Sequence, residues 1–145
     1  MFSKACEYGI KAITYIAKES LKGNRVKTGE IAFHTESPEP FTAKILGTLT
    51  KFDIIHSQTG PNGGFIISKE RMKCIKLSDI VNAIDGDSIY NGCVLGYSEC
   101  NHLKPCPMHD KFVKIRGDIK KMVTTTTIYD LAIGLKSGKS VLKRS

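Results

Sequence analysis

The chain has 145 residues, 41 % hydrophobic and 25 % charged, enough for one domain with its own core. A net charge of +8 and a pI near 9.3 favour a polyanionic partner, either nucleic acid or an anionic membrane. No apolar run approaches the ~18–20 residues that span a bilayer, and Met1 to Glu7 has no signal-peptide core. Nucleic acid is therefore the expected partner, with no membrane, and the cytoplasm the expected compartment.

Lys4 to Leu21 sets Gly9, Ala12, Ile13, Ile16, Ala17 and Leu21 at helical spacing, and Gly23-Asn24 closes the helix. Thr28 is the expected cap of a short second helix, with Glu30 in its first turn and Ile31 and Ala32 facing inward. This helix should stop before Ser37-Pro38. Pro38 and Pro40 then open a third helix whose inward face is Phe41, Ile45, Leu46, Leu49 and Phe52. Its other face offers Thr42, Lys44, Thr48 and Lys51. Beyond it the period changes. Ile54-Ile55 and Phe65-Ile66-Ile67 read as strands around Gly60-Pro61-Asn62-Gly63-Gly64, where Asn-Gly signals a hairpin. Helix, turn, helix and hairpin predict a mainly α fold with a β wing: a winged helix-turn-helix DNA-binding region over residues 1–86. Any small α+β domain with a hairpin is the alternative.

Ser78 is the expected cap of a further helix through Ile80, Val81 and Ile84, closed by Gly86. Residues 87–110 read as a loop. Over 111–134, Phe112, Ile115, Ile119, Met122, Thr126, Tyr129 and Ile133 alternate in threes and fours, the stripe of a helix that seeks a partner. A long dimerisation helix and a homodimer are expected; the alternative is a helix folded back on its own domain. Thr124 to Thr127 is poor in helix propensity, and Thr127 with Asp130 resembles a new N-cap, which predicts a break before a short terminal helix. The basic stretch 135–145 (Lys136, Lys139, Lys143, Arg144) is expected to be disordered.

Five cysteines, an odd number, in a reducing compartment point to metal or redox chemistry rather than a disulfide frame. Three lie together, Cys93, Cys100 and Cys106, with six and five residues between them and His109 three further on. Intervals wider than CxxC in a Gly- and Pro-containing loop suit a group larger than one ion, such as an iron–sulfur cluster. Zinc, which takes shorter spacings, and reversible thiol oxidation remain alternatives. Cys6 and Cys74 read as small buried hydrophobes. No nucleotide-binding glycine pattern and no catalytic triad order stand out, and His34, His56 and His102 are isolated, so an enzyme is not expected. An iron–sulfur electron carrier is the alternative from a different class.

DNA recognition by such a module places the N-terminal part of the third helix near base edges. Thr42, Ala43 and Lys44 are thus the expected readers, with Lys44 suited to guanine. Lys4, Lys11 and Lys51 suit phosphates, with Thr48 beside them. Wing residues Thr59, Gly60, Asn62 and Gly63 should pass close to the duplex.

Several landmarks in this order are similar to a known family. They are Tyr8-Gly9-Ile10-Lys11-Ala12, Gly29-Glu30-Ile31-Ala32, Gly60-Pro61-Asn62-Gly63-Gly64-Phe65, Leu77-Ser78-Asp79-Ile80-Val81 and the cysteine triplet. From Ser3-Lys4 to Leu131 the chain resembles the IscR/NsrR/CymR-like winged-helix transcription regulators of bacteria. The resemblance implies a dimer on a palindromic promoter site, bound to double-stranded DNA under control of an iron–sulfur cluster, [2Fe–2S] favoured over [4Fe–4S]. It also implies Cys93, Cys100 and Cys106 as ligands with His109 as the fourth. Glu7, reaching from a partner subunit, is the alternative fourth ligand, and His102 a third choice. One departure is Thr59, where the family often has Arg, which removes a minor-groove arginine from the wing.

Overall fold

A computed structural model describes residues 1–144. In chain order its elements are α1 (Lys4–Leu21), α2 (Thr28–Thr35), α3 (Glu39–Lys51), β1 (His56–Gln58), β2 (Gly64–Ile66), α4 (Lys69–Cys74), α5 (Leu77–Ile84), α6 (Ser88–Asn91), α7 (His109–Thr125) and α8 (Ile128–Lys136). Ser3 starts α1, its Oγ accepting the Cys6 N–H at 3.0 Å. The apolar residues of α1 form more than a single stripe. Ala12, Ile13 and Ile16 pack with Ile31 of α2, Ile45, Leu46 and Leu49 of α3, and Ile128 of α8. Toward its N-terminus, Cys6 joins a second cluster with Leu77 and Val81 of α5, Tyr90 of α6 and Val123 of α7. One helix therefore belongs to both cores. Gly9 permits the close approach, since a Cβ there would stand 2.4 Å from Ile84 Cδ1.

The turn after α2 is made by Glu36 in the left-handed region (φ 54°), and Pro38 stands at the N-cap of α3. The hairpin is antiparallel, with His56 opposite Ile66 and Gln58 opposite Gly64. Val26 adds a bridge to its edge, exchanging both backbone bonds with Phe65 at 2.7 and 3.2 Å. The expected winged helix-turn-helix is therefore the observed architecture. Its turn differs from a two-residue Asn-Gly hairpin. Gly63 N–H closes back on Gly60 O at 3.0 Å around Pro61-Asn62, and Asn62 is not at positive φ, so proline's fixed φ selects the turn. The paired residues also begin after Ile54-Ile55, which are buried in the core ahead of β1.

Several expected local features are corrected. Thr28 and Ser78 do not cap their helices; Lys27 and Lys76 hold those positions. In each case a carboxylate three residues on, Glu30 or Asp79, takes the cap backbone N–H, at 3.4 and 2.8 Å. Phe52 is 56 % exposed rather than buried, because α3 ends at Lys51 and the chain turns away from the stripe. Cys74 is exposed, since Met72 is the inward residue of α4. The stretch 87–110 includes the short helix α6.

The terminal apolar stripe divides at the threonine run. Thr125 and Thr126 hydroxyls donate back to the carbonyls of Lys121 and Met122 at 2.6 and 2.7 Å, and Thr126 turns extended at the end of α7. Leu77 N–H donates to Thr126 O at 2.8 Å and Ile128 N–H to Ile75 O at 3.0 Å, which pins the break to the α4–α5 junction. Helix α8 then folds back on α1 with Ile128 and Ala132 buried. Tyr129 and Ile133 therefore leave the stripe, while Ile115 and Met122 on α7 stay 49 % and 42 % exposed. The basic tail is not free throughout: Leu142 packs against the core and Lys143 Nζ lies 4.2 Å from the Phe33 ring centroid. Ser145 lies outside the described residues.

The break rests on a reciprocal cap. Thr127 Oγ1 accepts Asp130 N–H at 3.1 Å, and Asp130 accepts Thr127 N–H at 3.0 Å. The bond from the Thr127 backbone holds the Asp130 carboxyl below its usual pKa. A depressed folded-state pKa stabilises above the unfolded value and the gain is lost as pH falls. Thr127→Ala should cost about 0.5–2 kcal/mol in urea unfolding at pH 7. Asp130→Asn should destabilise at neutral pH and lose that effect as the pH falls below about 4.

Candidate nucleic-acid face and cysteine site

Helix α3 presents Ala43, Lys44, Gly47 and Lys51 to solvent, with Thr48 half-buried among them. A Cβ on Gly47 would meet nothing within 4 Å, so this stretch of α3 is open to close approach. Lys4 and Lys11 flank the start of α3, their ammonium groups 5.5 and 6.0 Å from the Tyr8 ring, which meets Phe41 edge-on. Lys4 also pairs with Glu7 at 3.4 Å. Across a groove the wing exposes Thr59, Gly60 and Asn62, with Gly60 at φ +101°.

Two expected contacts are corrected. Thr42 is 2 % exposed, and its hydroxyl bonds Pro38 O at 2.9 Å and Ser37 Oγ at 2.6 Å. It fastens the start of α3 and does not face outward. Gly63 is buried, a Cβ there standing 2.1 Å from Gln58 O, so it closes the turn rather than offering an atom to a partner. Gly47 and Pro40 complete the exposed face and were missed in the sequence, although their spacing from Lys44, three and four residues, marks them.

The second site is a cavity of about 360 Å³ lined by Cys93, Cys100, Cys106 and His109. His109 is the first residue of α7; its N–H donates to Cys106 O at 3.0 Å, and Nδ1 lies 3.2 Å from Cys100 Sγ. Backbone N–H groups of Leu95 and then Tyr97 hold the Cys93 thiol below its ordinary pKa, with a smaller effect from Cys106. Arg116, two turns along α7 from His109 and 9 % exposed, donates to Cys100 Sγ at 3.0 Å and to Gly92 O at 2.7 Å. His102 and Glu7 do not line the cavity. Cys6 is inert by contrast: burial, then Asp85, push its thiol up to about 12.

Three thiols and one imidazole make up the Cys and His donor set of this cavity. Among the described residues no three His, Cys, Asp or Glu side chains form a group placed to hold a metal ion. Three thiols and an imidazole around a larger space suit a group with more than one iron. Arg116 Nε is buried and has no hydrogen-bond partner.

Residues 2–133 match the family model described as Rrf2, iron-dependent transcriptional regulator. The chain belongs to the Rrf2 family. Its members are transcription regulators rather than enzymes, and regulation of transcription is accordingly what this chain does. A relative in Aquifex aeolicus, which bears the name of an HTH-type transcriptional regulator, is 33 % identical over 133 residues, 90 % of each chain. Rv1287 of Mycobacterium tuberculosis, named in the same way, is 25 % identical over 91 % of this chain and 81 % of its own. In structure the chain is similar to CymR, the global cysteine regulator of B. subtilis (TM-score 0.75, 21 % identity, 92 % and 96 % covered). It is also similar to IscR of T. potens (TM-score 0.73, 18 % identity, 97 % and 92 % covered). At those identities the likeness shows the shared fold.

At the cysteine cavity of this Rrf2 chain, the residue that the sequence did not single out is Arg116. Its signal was its interval of seven from His109, which sets both on one side of α7. For α3, the buried geometry of Thr42 has a direct test: Thr42→Val should lower stability by about 0.5–1.5 kcal/mol in urea unfolding. A neutral effect would place that hydroxyl in solvent.

Proposed function

We propose that this Rrf2 protein is a homodimeric regulator whose grip on a palindromic promoter site follows the state of an iron–sulfur group held by Cys93, Cys100, Cys106 and His109. The observation that carries the reading is the single cavity that collects the whole triplet and His109 directly on α7. When bound, the cluster supplies a centre whose oxidation, nitrosylation or loss changes the charge and bonding of its ligands. A mixed thiolate and imidazole set favours [2Fe–2S] over [4Fe–4S], as histidine ligation is known for two-iron centres.

Ile115 and Met122, exposed along α7 between half-buried Phe112 and Ile119, form the surface a second copy covers. A two-fold dimer presents two copies of α3, hence the palindrome. Ala43 and Lys44 read base edges there, with Thr48 beside them. Lys4, Lys11 and Lys51 meet phosphates, and Thr59, Gly60 and Asn62 bring the wing to the backbone. Without an arginine at position 59 the wing is a weaker minor-groove probe. Such a protein works in the cytoplasm, on the chromosome.

A cluster-free thiol regulator is the second reading, favoured by the depressed Cys93 thiol and by the likeness to the cysteine regulator CymR. Anaerobic purification with a visible spectrum and iron and sulfide analysis separates the two. Cluster absorption that disappears in Cys100→Ser supports the first; a colourless, iron-free protein that stays so after reconstitution with iron and sulfide leaves the second. For DNA, Lys44→Ala should weaken operator binding by about 1–3 kcal/mol and relax specificity. Lys51→Ala should weaken all sequences alike and reduce the salt slope by about 1. An affinity flat in salt would contradict DNA binding through this face.

A further inference from the structure

Arg116 is a buried cation on α7 that none of the ion pairs among the described residues includes. Burying a charge with no counter-charge is unfavourable, so its surroundings must supply the compensation. Its guanidinium spends one arm on Gly92 O at 2.7 Å and another on Cys100 Sγ at 3.0 Å, and Nε is left without an acceptor. The two bonded positions bracket Cys93, at opposite ends of the first interval of the triplet. Besides the Gly92 carbonyl dipole, negative charge on the Cys100 sulfur is the compensation that these bonds reach.

We infer that Arg116 is a positioning residue that clamps the cysteine segment onto α7 at Gly92 and Cys100 and, through its charge, sets the reduction potential of the group held there. The inference rests on the reading of the cavity as a cluster site. Three properties follow from the geometry. The clamp ties the cavity wall to the helix carrying the exposed apolar surface, so displacement of Cys100 is felt by α7 directly. A cation hydrogen-bonded to a ligand sulfur favours the more negative, reduced state and raises the potential. Lysine cannot replace the fork, because one ammonium on a flexible stem does not hold two acceptors in fixed directions.

The test uses full-length protein, wild type beside Arg116→Gln and Arg116→Lys, purified anaerobically and reconstituted with iron and sulfide. Redox titration should give a more negative midpoint for R116Q, with R116K between it and wild type. Iron loss to a chelator should quicken by roughly 10- to 100-fold in R116Q. Hydrogen exchange on the iron-free proteins should show residues 92–100 opening roughly 10- to 100-fold faster in R116Q, the equivalent of one lost hydrogen bond to a charged group. Exchange in α1 to α3 should be unchanged, which shows that the variant is folded. If R116Q does not fold, R116K carries the same readings.

Unchanged loop exchange overturns the clamp. Faster exchange with an unchanged potential also overturns the proposal, since Arg116 is then a packing residue only. If wild type takes up no iron, the cluster reading fails by itself, and loop exchange still decides whether the clamp exists.

Discussion

Everything in this protein is organised by the burial of α1 on two sides. Ile13 and Ile16 are fully buried against the helix-turn-helix, and Cys6, also fully buried, is packed against α5, α6 and α7. Each of those isoleucines contributes about 1.5–3 kcal/mol through burial, so neither core persists without the helix they share. The cost is tolerance. Gly9 sits where α1 meets α5, and close-packed interiors do not deform continuously. Movement on one side of α1 must be taken up by rearrangement on the other.

That constraint links the cysteine cavity to the helix-turn-helix by packing. His109 and Arg116 attach the cavity to α7. Val123 at the far end of α7 packs with Cys6 on α1 and Val81 on α5, and α1 packs with α3. The junction of α7 and α8 is further tied to the α4–α5 link by paired backbone bonds. Coupling needs such a contiguous packed path and an element with two arrangements. The packed path is present within the chain.

Much of the fold was legible because strong periods dominate it. The 3.6-residue spacing of α1, the Pro38 entry to α3 and the threonine run before Thr127 each mark a boundary that tertiary contacts did not override. Thr28 and Ser78 were misread as caps because a Ser or Thr at a helix start resembles a cap; here Glu30 and Asp79 do that work from inside the first turn. The outward reading of Thr42 failed for a related reason. A hydroxyl in the first turn of α3 finds nearer partners in Ser37 Oγ and the Pro38 carbonyl, which also accepts the Thr42 N–H. Phe52 continues the spacing one residue beyond the end of its helix, at the C-cap.

At the site the triplet was legible and its surroundings were not. Spacing alone indicates that Cys93, Cys100 and Cys106 lie near one another, and the cavity collects them. It does not indicate that the buried Arg116, seven residues after His109 on α7, bonds the Cys100 sulfur, because arginine in a polar helix reads as solvated. Nor does it show that Glu7 spends its charge on Lys4 within the same chain.

The account depends on the sulfur-lined cavity setting affinity for DNA. Its most direct measurement takes one anaerobic preparation, divides it, strips the iron from one half, and determines the operator Kd of both halves at the same salt. The account predicts that the two constants differ by roughly 5- to 150-fold, the usual size of such coupling. Equal constants, with the iron shown to be present in one half and absent from the other, contradict it.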